Sequence, residues 1–252
     1  MLLQYCSDLH LEFPENRNFL AAKPLIPRAR VLILAGDIVP FAVLPTHERF
    51  FDQLSASFDR IYWLPGNHEY YGSDASKRSG GFQENIRPNV ILTNNSIFEE
   101  GDTRLIFSTL WTHISPAHEW DIQQSLNDFH LINYGHRALR PADVNQLHAE
   151  SLDFLKTAFA RPAKGKTVVI THHVPTVFHY PDVYKGSILN EAFAVELFGT
   201  IHDSGASHWI FGHHHWNMPD FHIGKTTLTT NQLGYVEKKE NRGFRPDRTL
   251  EV

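Results

Sequence analysis

Short runs of apolar, often β-branched residues recur along the chain and predict its strands. Continuous runs such as Val31–Ala35 are typical of strands that are covered on both faces. Two shorter β patterns, Phe221–Ile223 and Thr226–Thr230, flank Gly224 near the end of the chain. The main predicted strands are Leu2–Ser7, Val31–Ala35, Arg60–Leu64, Val90–Thr93, Arg104–Leu110, Lys166–Thr171 and Trp209–Phe211.

Apolar positions spaced three and four residues apart predict helices between these strands. The first helix ends near Ser57, and Thr46 is its expected N-cap. The second runs from Pro141 to Phe159, because proline suits the first turn of a helix. The third is predicted from Glu191 to about Ile201.

The composition favours one domain of the α/β class. The 252 residues are 42% hydrophobic, which is enough for one sizeable core, so we predict a single domain over residues 1–252. The formal net charge of -5 disfavours non-specific binding to nucleic acid without excluding a nuclease. A single cysteine, Cys6, excludes an intrachain disulfide and fits a reducing compartment. The chain shows no signal peptide and no apolar run that could span a bilayer, so we expect a soluble, cytoplasmic protein with no membrane partner.

Polar clusters at strand ends carry the candidate chemistry. The chain has 17 histidines, and several of them stand beside Asp, Asn or Gly. Most of these clusters directly follow an apolar run, so the ends of neighbouring strands would gather them. The clusters are Ser7-Asp8-Leu9-His10, Gly36-Asp37, Gly66-Asn67-His68-Glu69, Thr171-His172-His173 and Gly212-His213-His214-His215.

The residue types in these clusters suit metal ions. Asp8 and His10 are two residues apart, and so are His213 and His215, so an extended backbone directs each pair to one side. The carboxylate of Asp37 has two oxygens and could bridge two ions. With the amide oxygen of Asn67 and an imidazole from the His172-His173 pair, the set supplies three or four ligands for each of two ions. Two adjacent metal ions point to hydrolysis of a phosphate ester.

In this order the clusters resemble those of the calcineurin-like metallophosphoesterases. The resemblance spans Ser7 to His215, and it implies a four-layer α/β/β/α sandwich with a dinuclear metal site at the C-terminal ends of the strands. It further implies that Asp37 bridges two ions. Asp8, His10 and His215 would complete the ligands of one ion, and Asn67, His172 and His213 those of the other. His173 is the alternative to His172, which we prefer because it follows its strand directly.

The resemblance also suggests which residues act on the phosphate. His68 would contact the phosphoryl group, stabilise its charge and give a proton to the leaving oxygen, with Asn67 beside it. A hydroxide held between the metal ions would attack phosphorus. Glu69 either holds a ligand histidine or is a solvated turn residue, and His214 is not expected to be a ligand.

The substrate and metals are less closely defined. Nitrogen and oxygen donors without thiolate suit two divalent or trivalent ions, and the resemblance favours Mn or an Fe/Zn pair. We expect a phosphatase or phosphodiesterase that acts on a small soluble phosphoester or a nucleotide. A nuclease and a catalytically silent metal-binding interaction module are the alternatives, and the oligomeric state is left open. The segment at about 111–140 follows a strand and is either a cover over the site or ordinary packing.

Overall fold

Strands and helices alternate along the chain, and the structure, a computed structural model, describes all residues from Met1 to Val252. The α-helices are α1 (Pro14–Ala22), α2 (Glu48–Ser57), α3 (Glu119–Ser125), α4 (Asp128–Leu131), α5 (Pro141–Ala160) and α6 (Phe198–Asp203). The strands are β1 (Leu2–Cys6), β2 (Val31–Ala35), β3 (Arg60–Leu64), β4 (Phe82–Arg87), β5 (Val90–Asn94), β6 (Ser96–Glu100), β7 (Thr103–Ser108), β8 (Asn133–Tyr134), β9 (Arg137–Ala138), β10 (Thr167–Thr171), β11 (His208–Ile210), β12 (Phe221–Ile223), β13 (Thr226–Thr229) and β14 (Thr249–Glu251). Short 3-10 helices occupy Phe41–His47, His68–Tyr70, Ala75–Lys77, Asp182–Tyr184 and Ile188–Ala192.

Two six-stranded sheets form the centre of the fold. The first has the order β14-β1-β2-β3-β5-β4, and the second has the order β12-β13-β11-β10-β7-β6. In both sheets the inner strands are parallel and the two edge strands pair with them in antiparallel fashion. The loops that leave the carboxyl ends of parallel strands therefore collect at one end of each sheet.

Three apolar clusters separate four layers. Alternate residues of the central strands point to opposite faces. Ile33 and Phe107 belong to the cluster between the two sheets, whereas Leu34 packs on the side of α1 and α2. Trp209 lies in a third cluster between the second sheet and the helices α5 and α6. Each large apolar side chain that is fully buried stabilises the fold by about 1.5–3 kcal/mol. The predicted α/β/β/α sandwich is thereby confirmed.

A fourth apolar cluster lies under residues 111–140. Ile122, Phe129 and Leu139 of this segment pack against Val144 and Leu147 of α5. The segment contains α3, α4 and the β8–β9 hairpin. It is thus a packed unit with its own small core.

Two of the helix predictions were wrong. Thr46 does not cap α2, because its hydroxyl donates to the carbonyl of Val43 (2.7 Å) inside a 3-10 helix, and α2 begins at Glu48. The predicted helix from Glu191 to Ile201 does not form as one element: only its ends are helical, in the 3-10 helix Ile188–Ala192 and in α6. Its middle part is extended, since the backbone N–H groups of Val195 and Leu197 donate to carbonyls of the loop after β10 (3.0 Å each). The predicted central strands and α5 agree with the structure to within about two residues at either end.

None of the helices combines the length and the apolar character that crossing a bilayer requires.

Candidate metal centre

The loops beyond the parallel strands bring the predicted site residues together. Contacts between the two sheets draw these loops close: His172 Nδ1 donates to the carbonyl of Ala35 (3.0 Å), and the backbone N–H of His213 donates to Asp8 Oδ1 (3.1 Å). Asp8 and His10 follow β1, Asp37 follows β2, Asn67 and His68 follow β3, His172 follows β10, and His213 and His215 follow β11.

The backbone at this site is strained. Positive φ angles are unfavourable for residues with a Cβ atom, and such strain concentrates where the fold must aim particular side chains. Half of the ten non-glycine residues with positive φ are predicted metal ligands: Asp8 (56°), His10 (46°), Asp37 (55°), His213 (79°) and His215 (52°). The fold thus holds these side chains in place before any ion binds.

Two glycines make room for the converging side chains. A Cβ atom on Gly36 would lie 2.2 Å from His172 Nδ1, and the φ of this glycine is +95°. A Cβ atom on Gly66 would lie 2.2 Å from Asp37 Oδ1 and 2.5 Å from His172 Nε2. Any larger residue at either position would displace groups of the site.

One group of donors consists of Asp8, His10, Asp37 and His215. Their ligand atoms all lie within 4.8 Å of one another. His10 Nε2 is 3.0 Å from His215 Nε2, which is in turn 3.3 Å from Asp8 Oδ1. Asp37 Oδ2 lies 3.8 Å from His10 Nε2. Four nitrogen and oxygen atoms therefore converge on one point.

A second group shares Asp37. His172 Nε2 lies 3.4 Å from the other carboxylate oxygen, Asp37 Oδ1, and 3.2 Å from His213 Nδ1. The amide oxygen of Asn67 is 3.2 Å from the same His172 nitrogen. The two oxygens of Asp37 thus face different donor groups. Burial raises the pKa of Asp37, but His172 and His68 outweigh this and hold it well below its usual range, so the carboxylate is ionised.

The donor set fits two metal ions. His10, His172 and His215 each have an outer ring nitrogen that donates away from the site, to Glu12 (3.1 Å), to the carbonyl of Ala35 (3.0 Å) and to Glu240 (2.6 Å), respectively. Such outer hydrogen bonds fix the tautomer of a metal-binding imidazole. The other ring nitrogen of each of these histidines faces a second imidazole or a carboxylate. At such short distances each of these nitrogens needs a proton or a metal ion. The site contains no thiolate.

His173 lies outside both donor groups. Its Nδ1 donates to the carbonyl of Thr109 (3.0 Å), and its ring packs beside Trp111. Burial, together with the neighbouring His172, lowers the pKa of His173 to about 3. His214 also points away, because its Nδ1 contacts the side chain of Gln232 and its ring packs near Tyr180. The geometry therefore brings His172, and neither of these two, to Asp37.

His68 stands beside the donor groups. Its Nδ1 is 2.9 Å from Glu12 Oε1, its Nε2 is 3.2 Å from the hydroxyl of Tyr235, and its ring stacks on Tyr71 at 4.1 Å. Burial alone would lower the pKa of His68, but the carboxylates of Asp37 and Glu12 raise it above its usual value. The ring is thus held firmly.

Glu69 has a role that neither sequence-based alternative described. It is fully buried, and its carboxylate accepts from the backbone N–H groups of Asp37 (2.9 Å), Ile38 (2.7 Å) and Gly66 (2.7 Å) and from Trp63 Nε1 (3.0 Å). It is therefore neither solvated nor bonded to a ligand histidine. It ties the loop after β2 to the loop after β3.

The sequence analysis missed four further side chains at the site. Glu12 accepts from both His10 and His68 through one oxygen. Asp128 accepts from Asn67 Nδ2 (2.9 Å), Glu240 holds His215, and Tyr235 contacts His68. Only Glu12 has a local signal, because it continues the two-residue spacing of Asp8 and His10. The other three reach the site from distant segments.

A cleft of about 460 Å³ opens over the donor groups. Residues 125–128 of the segment at 111–140 line the cleft, and so do residues between 180 and 193. The two segments meet in one apolar cluster, which contains Leu126, Leu189 and Phe193. Three tyrosines, Tyr71, Tyr180 and Tyr184, line this cleft, whereas Tyr70 and Trp111 are buried in the apolar cluster under residues 111–140.

Comparisons with known proteins agree with this architecture. The family model for calcineurin-like phosphoesterases matches residues 4–217. An uncharacterized protein, L509, of Acanthamoeba polyphaga mimivirus is 31% identical over 277 aligned positions, which cover 100% of this chain and 96% of that protein. The crystal structure of a phosphopantetheinyl hydrolase from Mycobacterium tuberculosis superposes with a TM-score of 0.69 at 17% identity, covering 96% of this chain and 92% of that one. The chain therefore belongs to the calcineurin-like phosphoesterase family, as its motifs had indicated.

Proposed function

We propose that this protein hydrolyses small phosphoesters with two metal ions held by the converging donor groups. Asp37 would serve both ions. Asp8, His10 and His215 would complete one site, and Asn67, His172 and His213 the other. The observation that carries this proposal is the position of Asp37, whose two oxygens face two separate donor groups. Manganese or an iron–zinc pair suits the nitrogen and oxygen donors.

The bound ions would lower the pKa of a water molecule and polarise the phosphoryl group. The remaining roles belong to the chain. Asn67 is oriented by Asp128, which accepts from its Nδ2 so that its Oδ1 points to the donor groups. His68 gives Nδ1–H to Glu12 and thus presents Nε2 to the cleft, where it can stabilise a phosphoryl oxygen and protonate the leaving oxygen. Tyr71 stacks on this ring and fixes its plane.

The cleft favours a small molecule over nucleic acid. None of the residues that line it is lysine or arginine. A nuclease relies on such side chains to follow the phosphate backbone, and its binding weakens steeply with salt. The intact pairing of His68 with Glu12 beside the metal groups favours an enzyme over a silent binding module.

The substitution Asp37→Asn tests the shared carboxylate. We expect the variant to retain fewer than two ions per chain and to lose at least about 100-fold in turnover of 4-nitrophenyl phosphate and bis(4-nitrophenyl) phosphate with added Mn. Asp153→Asn is the matched control, because Asp153 is an exposed residue of α5. Full activity and full metal content in Asp37→Asn would refute the proposal. A salt-sensitive gel shift with DNA or RNA would instead favour the nuclease.

A further inference from the structure

The wall of the cleft at residues 180–193 presents apolar side chains beside the donor groups. The ring of Phe193 stacks on that of His213, with a centroid distance of 4.7 Å and an interplanar angle of 26°. Leu189 and Phe193 are half-buried and pack from behind against the apolar cluster under residues 111–140. Tyr184 completes this surface and packs against the neighbouring core. We call Tyr184, Leu189 and Phe193 the apolar wall.

Polar side chains next to the apolar wall are engaged with their own loop. Asn190 Nδ2 donates to the carbonyl of Tyr184 (2.6 Å), and Ser187 Oγ accepts from the backbone N–H of Leu189 (3.3 Å). Ser125 and Asn127 also line the cleft and add uncharged polar groups, next to Asp128, which accepts from Asn67 and Tyr71. A bound molecule therefore meets the apolar wall together with polar groups that include no lysine or arginine.

The charges around the cleft disfavour a second anion. Asp128 and Glu240 are among the lining residues, and both are acidic. Of the lysines nearest in sequence to the lining residues, Lys185 pairs with Asp182 (2.5 Å), and Lys238 is held over the ring of Tyr235 (4.7 Å to its centroid). Metal ions in the donor groups would balance the charge of one phosphoryl group, whereas a second anionic group would find the carboxylates of Asp128 and Glu240 and no lining lysine or arginine.

We infer that the apolar wall is a subsite for the organic group of the phosphoester, and that it takes an uncharged, partly apolar group. This inference rests on the proposed function, because it places the phosphoryl group at the donor groups. It assigns the substrate to esters with a single phosphoryl group on a neutral alcohol and excludes nucleoside di- and triphosphates.

The test compares two non-hydrolysable ligands that differ in one charge. Binding of 1-naphthylmethylphosphonate and of its ring-sulfonated analogue to the Mn-loaded protein is measured by isothermal titration calorimetry. We expect the uncharged naphthyl group to bind at least about fivefold more tightly, since a negative charge near Asp128 and Glu240, with no lysine or arginine lining the cleft, is repelled by about 1 kcal/mol. Because binding requires no turnover, this measurement reads the subsite directly.

A cation placed at the edge of the cleft should reduce the preference for the uncharged ligand. Val183 lines the cleft and is 68% exposed, so Val183→Lys should fold normally and favour the sulfonated ligand by about fivefold relative to wild type. Val177→Lys is the matched control, because Val177 is 45% exposed in the same loop but does not line the cleft.

Equal affinity for both ligands in the wild type would overturn the inference, as would no binding of either. Equal shifts in Val183→Lys and Val177→Lys would also overturn it. Selective binding of the uncharged ligand without hydrolysis of any ester would count against the proposed function alone.

Discussion

Glu12 joins a proposed metal ligand to the proposed acid through a single oxygen atom. Its Oε1 accepts from His10 Nδ1 (3.1 Å) and from His68 Nδ1 (2.9 Å). Burial would raise the pKa of Glu12, but these hydrogen bonds outweigh it and lower that pKa to about 2, so the group is ionised at neutral pH. We predict that Glu12 fixes the tautomer of His10 and holds the ring of His68, which keeps each Nε2 facing the cleft.

The substitutions Glu12→Ala and Glu12→Gln separate hydrogen bonding from charge. Alanine removes the acceptor, so His10 is free to carry its proton on Nε2, where it competes with a metal ion, and His68 loses the partner that holds its ring. Loss of such an outer partner typically lowers metal affinity 10–100-fold, or about 1.4–2.7 kcal/mol. Glutamine retains an acceptor oxygen, and its metal affinity should stay within about fivefold of wild type.

Glutamine should instead destabilise the fold. Glu12 Oε2 is buried and has no hydrogen-bond partner. An amide group in its place would bury N–H donors without acceptors, at a cost of about 1–3 kcal/mol. Glu12→Ala should thus have the lower metal affinity, and Glu12→Gln the lower stability.

Three measurements examine this reasoning. Competition with a chelating dye gives the Mn affinity, denaturant unfolding of the apoprotein gives stability, and ¹⁵N chemical shifts of the imidazole report the tautomer of His10. We expect the Nδ1–H tautomer of His10 in the wild type and in Glu12→Gln, and its loss in Glu12→Ala. An unchanged His10 tautomer in Glu12→Ala, or equal loss of metal affinity in both variants, would refute the reasoning.

Two further predictions concern the donor groups. Burial lowers the pKa of His172 and of His215, but Asp37 raises that of His172 to about 9 and Asp8 raises that of His215 to about 9. Below that pH a metal ion must therefore displace two protons. Apparent Mn affinity in competition titrations should therefore rise by up to about 100-fold per unit between pH 7 and 9, and a flat profile would contradict this. Gly66→Ala should lose bound metal and about 1–3 kcal/mol of stability, because its Cβ would meet Asp37 Oδ1. Gly199→Ala is the control, since there is open space around its Cβ, and it should change neither quantity. Metal analysis and thermal unfolding measure the two effects.

Local sequence patterns predicted the strands and helices whose burial shows in a few consecutive residues. Runs such as Val31–Ala35 are apolar at every position because both faces are buried, which the structure shows. Asp8 and His10 do follow β1, but their φ angles of 56° and 46° differ from the extended backbone that we expected to direct them to one side. The edge strands β4 and β14 were not predicted, since only part of each is buried and the apolar signal is weak.

Long-range contacts account for what the sequence could not indicate. The apolar residues near Val195 suit a helix face equally well, and only pairing with the loop after β10 selects the extended form. The polar stretch from Lys238 to Arg248 gives no sign that Glu240 reaches His215. Glu69 resembles any charged turn residue until the fold buries it among backbone N–H groups.

The hydrogen bond between Glu240 and His215 has a consequence for the order of assembly during synthesis. Asp8 leaves the ribosome long before Glu240 and β14, the partner of β1. Domains that depend on such distant pairings fold slowly, because loop closure must precede the contacts that reward it. The donors that follow β1 are therefore made well before the segments that pair with β1 and His215.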